Sequence, residues 1–282
     1  MRWSNLLIAV TLTSVSLIAS ADNEKQPKES GREKLEQLRE DFQPYAFNFY
    51  PYHPMYFAVG TDPERSKYQI SFRYQFIKSG GSLAERFPAI TGLNLAYTQT
   101  SFWDLQSDSK PFADTSYKPE IFYLSPFILL GPSWAEGFQA QGGFRHESNG
   151  RDGDDSRSTN FIYTKLHWIF DLGKDYAVLF APEVFAYVGN DNDTNRDLDK
   201  YRGYFDLELM VAKKGGFSLA THYQHGIKGW SVLTDLNYPL PKLLRSNIEL
   251  YFMVQRFDGY AESLIDFRKQ RHITRIGFSM IR

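Results

Sequence analysis

Within GGFRHESNGRDGDDSRSTN at 142–160, one residue separates His146 from Ser148, and Asn160 follows beyond a polar loop. A hydroxyl is a poor nucleophile until a base takes its proton, and an imidazole titrates in the range that suits that task. The base needs a third group to hold its second ring nitrogen, which an asparagine oxygen can do at lower electrostatic benefit than a carboxylate. Along an extended strand His146 and Ser148 stand about 6.6 Å apart by rise, a gap that two side chains on one face can close. Types and spacing therefore fit a Ser-His-Asn hydrolytic triad, with Ser148 as nucleophile, His146 as general base and Asn160 as orienting amide.

The difficulty is the face on which they sit. A period of two puts Ser148 and His146 with Phe144, Gly142 and Ala140, while Glu147, Arg145, Gly143 and Gln141 take the other side. Asn160 shares the parity of Ile162, Thr164, Leu166 and Trp168, again the apolar face. A soluble sheet would bury these polar groups in its core. On the outside of a membrane barrel the same parity turns them toward lipid, and the implied substrate is embedded in the bilayer. A single His or Ser at such a place is ordinary interfacial polarity; the pair, the shared parity and the carboxamide together favour chemistry.

The elements that must position this hairpin follow from the rest of the chain. MRWSNLLIAVTLTSVSLIASA has one early Arg, a short apolar run and a small-x-small end, which predicts a secretory signal peptide over 1–21. Residues 22–43, DNEKQPKESGREKLEQLREDFQ, lack a core-forming pattern and read as a polar periplasmic extension. Cysteine is absent, so an exported chain must hold together without disulfides. With 32 basic and 33 acidic residues, charge gives no reason to propose a nucleic-acid partner. Aromatics reach 16%, which suits strands with interfacial girdles.

From residue 44 to 282 alternating segments recur. Ile276, Phe278 and Met280 alternate with Arg275, Gly277 and Ser279; Leu207 and Leu209 alternate with Asp206 and Glu208; Phe252 and Val254 follow Glu249. Strands are expected at 46–59, 67–78, 90–101, 117–130, 134–148, 159–170, 176–188, 201–213, 216–225, 229–238, 246–257 and 271–281. That even number, the leader and the aromatics favour an all-β, twelve-stranded antiparallel transmembrane β-barrel of the outer membrane over a sandwich.

HESNG at 146–150 with SRSTN at 156–160 closely resembles the active-site hairpin of the bacterial outer membrane phospholipase A family. YPYHPMYF (50–57), YTQTSFWDL (97–105), SKPFADTSYKPEIF (109–122), VGNDND (188–193) and GYAESLIDF (259–267) extend the resemblance in the same order. It implies a calcium-dependent phospholipase, with A1, A2 and lysophospholipase activity, that works as a homodimer on outer-membrane phospholipid. It also implies a backbone oxyanion donor at Gly150. The implied Ca²⁺ positions are the Arg151 carbonyl, the Ser156 hydroxyl, Ser109 from the partner copy, and Asp193. Such oxygen ligands suit a hard cation. Gln99 matches a glutamine of the family's membrane-embedded dimer contact. Gly153 stands where the acid of a second calcium site would be expected, and Asp152, Asp154 and Asp155 read equally well as a solvated loop. Two rivals remain at this stage. A lipid A deacylase would have a smaller barrel and an acid in place of Asn160, and a passive pore or adhesin would use Glu249, Asp206 and Arg275 as lumen lining.

Overall fold

The structure, a computed structural model, describes residues 48–61, 66–77, 82–109, 111–129, 135–190, 193–245 and 248–281. The expected leader at 1–21 and polar extension at 22–43 lie outside these residues. Pro51–Arg282 forms the barrel unit. Its strands are β1 (Met55–Gly60), β2 (Ser66–Gln75), β3 (Leu93–Trp103), β4 (Phe112–Leu124), β5 (Ala135–Ser148) and β6 (Ser158–Gly173). They continue as β7 (Tyr176–Asn190), β8 (Phe205–Lys213), β9 (Ser218–His225), β10 (Trp230–Pro239), β11 (Tyr251–Gly259) and β12 (Arg271–Ile281). Each pairs antiparallel with the next, and β12 pairs back onto β1, so all twelve close into a barrel. Closure leaves no strand edge to be satisfied in hydrocarbon, where no water can do so.

Alternation settles what faces lipid. On β12, Ile276, Phe278 and Met280 are about half exposed, whereas Arg275 and Ser279 are buried. Phe57 and Val59 on β1, Leu93 and Leu95 on β3, and Phe144 on β5 are exposed in the same way. Aromatic clusters mark both ends: Trp103 meets Phe57 and Phe112 at one, and Trp168 meets Phe138 and Phe180 at the other.

Four expected strands begin in the barrel four or more residues from where they were placed, for local reasons; the eighth, placed at 201–213, starts at Phe205 because the helix Leu198–Arg202 takes its first positions. The first, placed at 46–59, is split into a short strand Phe49–Pro51 and β1 from Met55, because Pro54 lacks a backbone N–H for the ladder. Tyr52 enters the lumen instead and donates its hydroxyl to Glu120 at 2.5 Å. The fourth, placed at 117–130, is shifted to Phe112–Leu124, with Pro126 just beyond its end. The eleventh, placed at 246–257, starts at Tyr251 after the short helix Leu240–Leu244, which has a proline in its first turn. Glu249, expected inside the barrel, is therefore exposed in coil before β11.

The lumen is packed with paired charge. Arg145 of β5 donates to Glu120 at 2.5 Å and to Glu183 at 2.9 and 3.2 Å, with its guanidinium over the Tyr163 ring. Glu147 accepts from Ser116 at 2.6 Å and from Arg202 at 2.7 Å. Lys165 reaches Glu208 at 2.7 Å, and Arg275 reaches Glu262 at 2.6 and 3.1 Å. Toward the end bearing loops 149–157 and 260–270, Leu198, Ala261, Leu264 and Phe267 form an apolar cluster with Tyr187 and Tyr201. A cavity of about 250 Å³ remains among the lumen side chains.

Candidate active site

β5 and β6 pair with His146 opposite Asn160 and Ser148 opposite Ser158. This register, with the parity set by Phe144 and Ile162 outside and Arg145 and Phe161 inside, puts His146, Ser148 and Asn160 on the lipid side. All three are half-buried. His146 Nδ1 lies 2.7 Å from Asn160 Oδ1. An amide oxygen only accepts, so Nδ1 carries the proton and Nε2 keeps its lone pair for the serine side. The other end of the amide is fixed as well, since Asn160 Nδ2 donates to the Gly189 carbonyl at 2.9 Å. A Cβ on residue 189 would sit 3.0 Å from that nitrogen, so any other residue there would push the Asn160 amide by a few tenths of an ångström. A carboxylate at 160 would set a lone pair against the Gly189 carbonyl; a carboxamide serves both neighbours.

Ser148 Oγ makes no hydrogen bond among the described residues. Catalytic contacts are often loose before substrate binds. Gly150 has φ +66, and a Cβ there would sit 2.9 Å from the Tyr117 ring. Its N–H has no acceptor among the described residues, as an oxyanion donor requires before substrate arrives.

Beyond Ser148, Gly153–Asp155 forms one turn of 3-10 helix, closed by Ser156 N–H to Gly153 O at 3.1 Å. The Arg151 carbonyl and Ser156 hydroxyl lie on this loop, hard oxygen donors with no hydrogen bond among the described residues; they fit calcium chemically. Ser109 is exposed in the turn before β4. The Arg151 guanidinium reaches that region, donating to Ala113 O at 2.5 Å. Asp193 is exposed on the loop after β7, which Asn195 ties to the hairpin by donating to Ser158 O at 2.6 Å. The structure thus brings the 149–157 loop, the start of β4 and the 193–197 loop to one end of the barrel. Gly153 is exposed with φ +55 and open space around it, Asp152 and Asp154 are exposed, and exposed Asp155 pairs with the Arg151 guanidinium at 3.4 Å.

Gln99 is on the outer face of β3, accepting from Tyr97 OH at 3.0 Å and donating to Tyr68 OH at 3.0 Å and Ser101 Oγ at 3.2 Å. His222 pairs with Asp206 at 3.1 Å inside the lumen. Two parts of the site were not singled out from the motif: the Gly189 carbonyl and the side chain of Asn149. The Asn-Gly dipeptide after Ser148 was a turn signal that could have pointed to the second.

Twelve closed strands, apolar outside and charged within, define a bacterial outer-membrane β-barrel. A family model described as Phospholipase A1 matches residues 51–280. The chain belongs to the phospholipase A1 family, and with it to the phospholipid hydrolases. Phospholipase A1 of Escherichia coli K12 and that of Salmonella typhimurium are each 29% identical over 265 residues, covering 83% of this chain and 81% of theirs. The calcium-bound outer membrane phospholipase dimer of Salmonella typhi superposes with a TM-score of 0.69 at 25% identity, over 86% of this chain and 96% of that one. Outer membrane phospholipase A of Escherichia coli gives 0.68 at 24% identity, over 85% and 96%, and speaks for the fold.

Proposed function

We propose that this barrel hydrolyses phospholipid acyl esters through Ser148, His146 and Asn160, with calcium, as a homodimer. The observation that carries the reading is the 2.7 Å contact between His146 Nδ1 and Asn160 Oδ1 on the lipid side of a strand that also presents Ser148 there. His146 Nε2 takes the Ser148 proton as Oγ attacks the ester carbonyl; the imidazolium then gives that proton to the departing glycerol oxygen. The same base activates water to free the acyl chain from Ser148. Gly150 N–H faces the oxyanion. Arg151 O, Ser156 Oγ and Asp193, with Ser109 from a second copy, would hold the metal, which would supply positive charge beside the developing oxyanion. A site divided between copies makes dimerisation a switch, which suits an enzyme immersed in its own substrate.

The test compares wild type with Ser148→Ala on mixed phospholipid micelles, with calcium and with chelator. Hydrolysis is expected only from wild type with calcium. Equal rates for the two proteins would overturn the triad, and full wild-type activity under complete chelation would overturn the metal requirement.

A further inference from the structure

Asn149 follows Ser148 at the end of β5, and its side chain is 4% exposed. Nothing in the triad uses it, yet all of its amide hydrogen bonds go to the loop beyond. Oδ1 accepts the N–H of Arg157 at 2.9 Å and the N–H of Arg151 at 3.3 Å. Nδ2 donates to the Asp155 carbonyl at 2.9 Å, and its own backbone N–H donates to Arg157 O at 3.0 Å. One side chain therefore holds the first and last turns of loop 150–157 from inside.

The bond to Arg151 is the informative one. A side-chain oxygen that accepts from the N–H two residues on makes a short Asx-turn, which directs the intervening residue. Here that residue is Gly150, whose φ of +66 is open to glycine at little cost. With the Arg151 N–H turned in to Oδ1, the Gly150 N–H, two residues after the nucleophile, is left without an acceptor among the described residues. The Arg157 and Asp155 bonds fix the far side of the loop, from which Ser156 projects.

We propose that Asn149 is a positioning residue: its carboxamide orients the Gly150 N–H as oxyanion donor and holds Arg151 O and Ser156 Oγ in register as cation ligands. This rests on the hydrolase reading above. It predicts that the acceptor oxygen matters more than the donor nitrogen. Asn149→Asp keeps both N–H acceptor bonds and loses only the bond to Asp155 O, whereas Asn149→Ala loses all three.

The experiment follows covalent labelling of Ser148 by an alkyl fluorophosphonate in chelator, so that no metal is needed, beside kcat and KM on phospholipid in calcium. Asn149→Ala is expected to label on the order of 10²-fold more slowly than wild type, as loss of one oxyanion donor would give. Its kcat should fall in step while KM changes little, and its calcium half-saturation should rise. Asn149→Asp should recover at least a tenth of the wild-type labelling rate. Circular dichroism and the mobility of the unheated barrel on gels confirm that each variant is folded. A folded Asn149→Ala protein that labels at the wild-type rate overturns the proposal, as does an Asp variant no better than Ala. Should wild type and Ser148→Ala label alike, the triad reading fails instead, and the two failures stay distinct.

Discussion

The two faces of β5 share one backbone and differ in how much their side chains are bound. Inside, Glu147 is buried and Arg145 half-buried among polar and charged partners at 2.5 to 3.2 Å, each engaging at least two elements. Outside, His146 has a single side-chain partner, and Ser148 Oγ has none among the described residues. The inner face fixes the strand, and that rigidity lets the outer face present groups with unused bonding capacity to a substrate. Removing one partner from a buried pair leaves an uncompensated charge, whereas removing a hydroxyl that bonds to nothing among the described residues leaves the fold nearly unchanged.

This contrast can be broken from either side. The largest effect is expected from Ser148→Ala: hydrolysis down by at least ~10³-fold, with the urea midpoint of the barrel unchanged. Arg145→Met should do the reverse. Stranding Glu120 and Glu183 is expected to remove about 3–5 kcal/mol of barrel stability, read by urea titration in detergent, with the chemistry of folded molecules retained. Asn160→Ala should lower kcat on the order of 10²-fold by freeing the imidazole, and leave the midpoint within about 0.5 kcal/mol. Gln99→Ala, also on the outer face, is expected to weaken self-association by ~1 kcal/mol, measured by sedimentation at graded detergent, without touching activity per dimer.

The smallest effect is one of pH. Hydrogen bonds from Lys200 and Lys228 hold the Asp197 carboxyl down at about 2, below its ordinary 3.8. A depressed carboxyl contributes above its unfolded pKa and loses that contribution as pH falls through the folded value. Protease resistance of the 193–204 loop should therefore be flat from neutrality to about pH 4 and decline between 4 and 2.

Much of this was legible because strand parity is a local property. His146, Ser148 and Asn160 could be assigned to one face by counting in twos, and the same count put Arg145 and Arg275 inside. What parity could not reach was anything set by distant contacts. The Gly189 carbonyl that accepts from Asn160 comes from the far end of β7, and its role depends on a register irregularity in the β6 and β7 pairing next to Asn160. The plug formed by Leu198, Leu264 and Phe267 joins two loops whose sequences carry no shared period. Glu249 falls outside the barrel because Pro241 seeds a helical turn, which delays β11 to Tyr251 although apolar alternation begins at Ile248. Asn149 stood in plain view, yet its importance lies in backbone atoms up to eight residues away.

A bore packed with paired charge also governs how leaky the surrounding membrane becomes. Hydrophilic solutes cross an outer membrane along continuous water, and here Arg145 fills the bore beside its own wall by bridging Glu120 of β4 and Glu183 of β7. Helix Leu198–Arg202 sends Arg202 in to Glu147 from the loop end. A cell can therefore keep many idle copies without losing its permeability barrier, and reconstituted protein should pass no steady current in a planar bilayer.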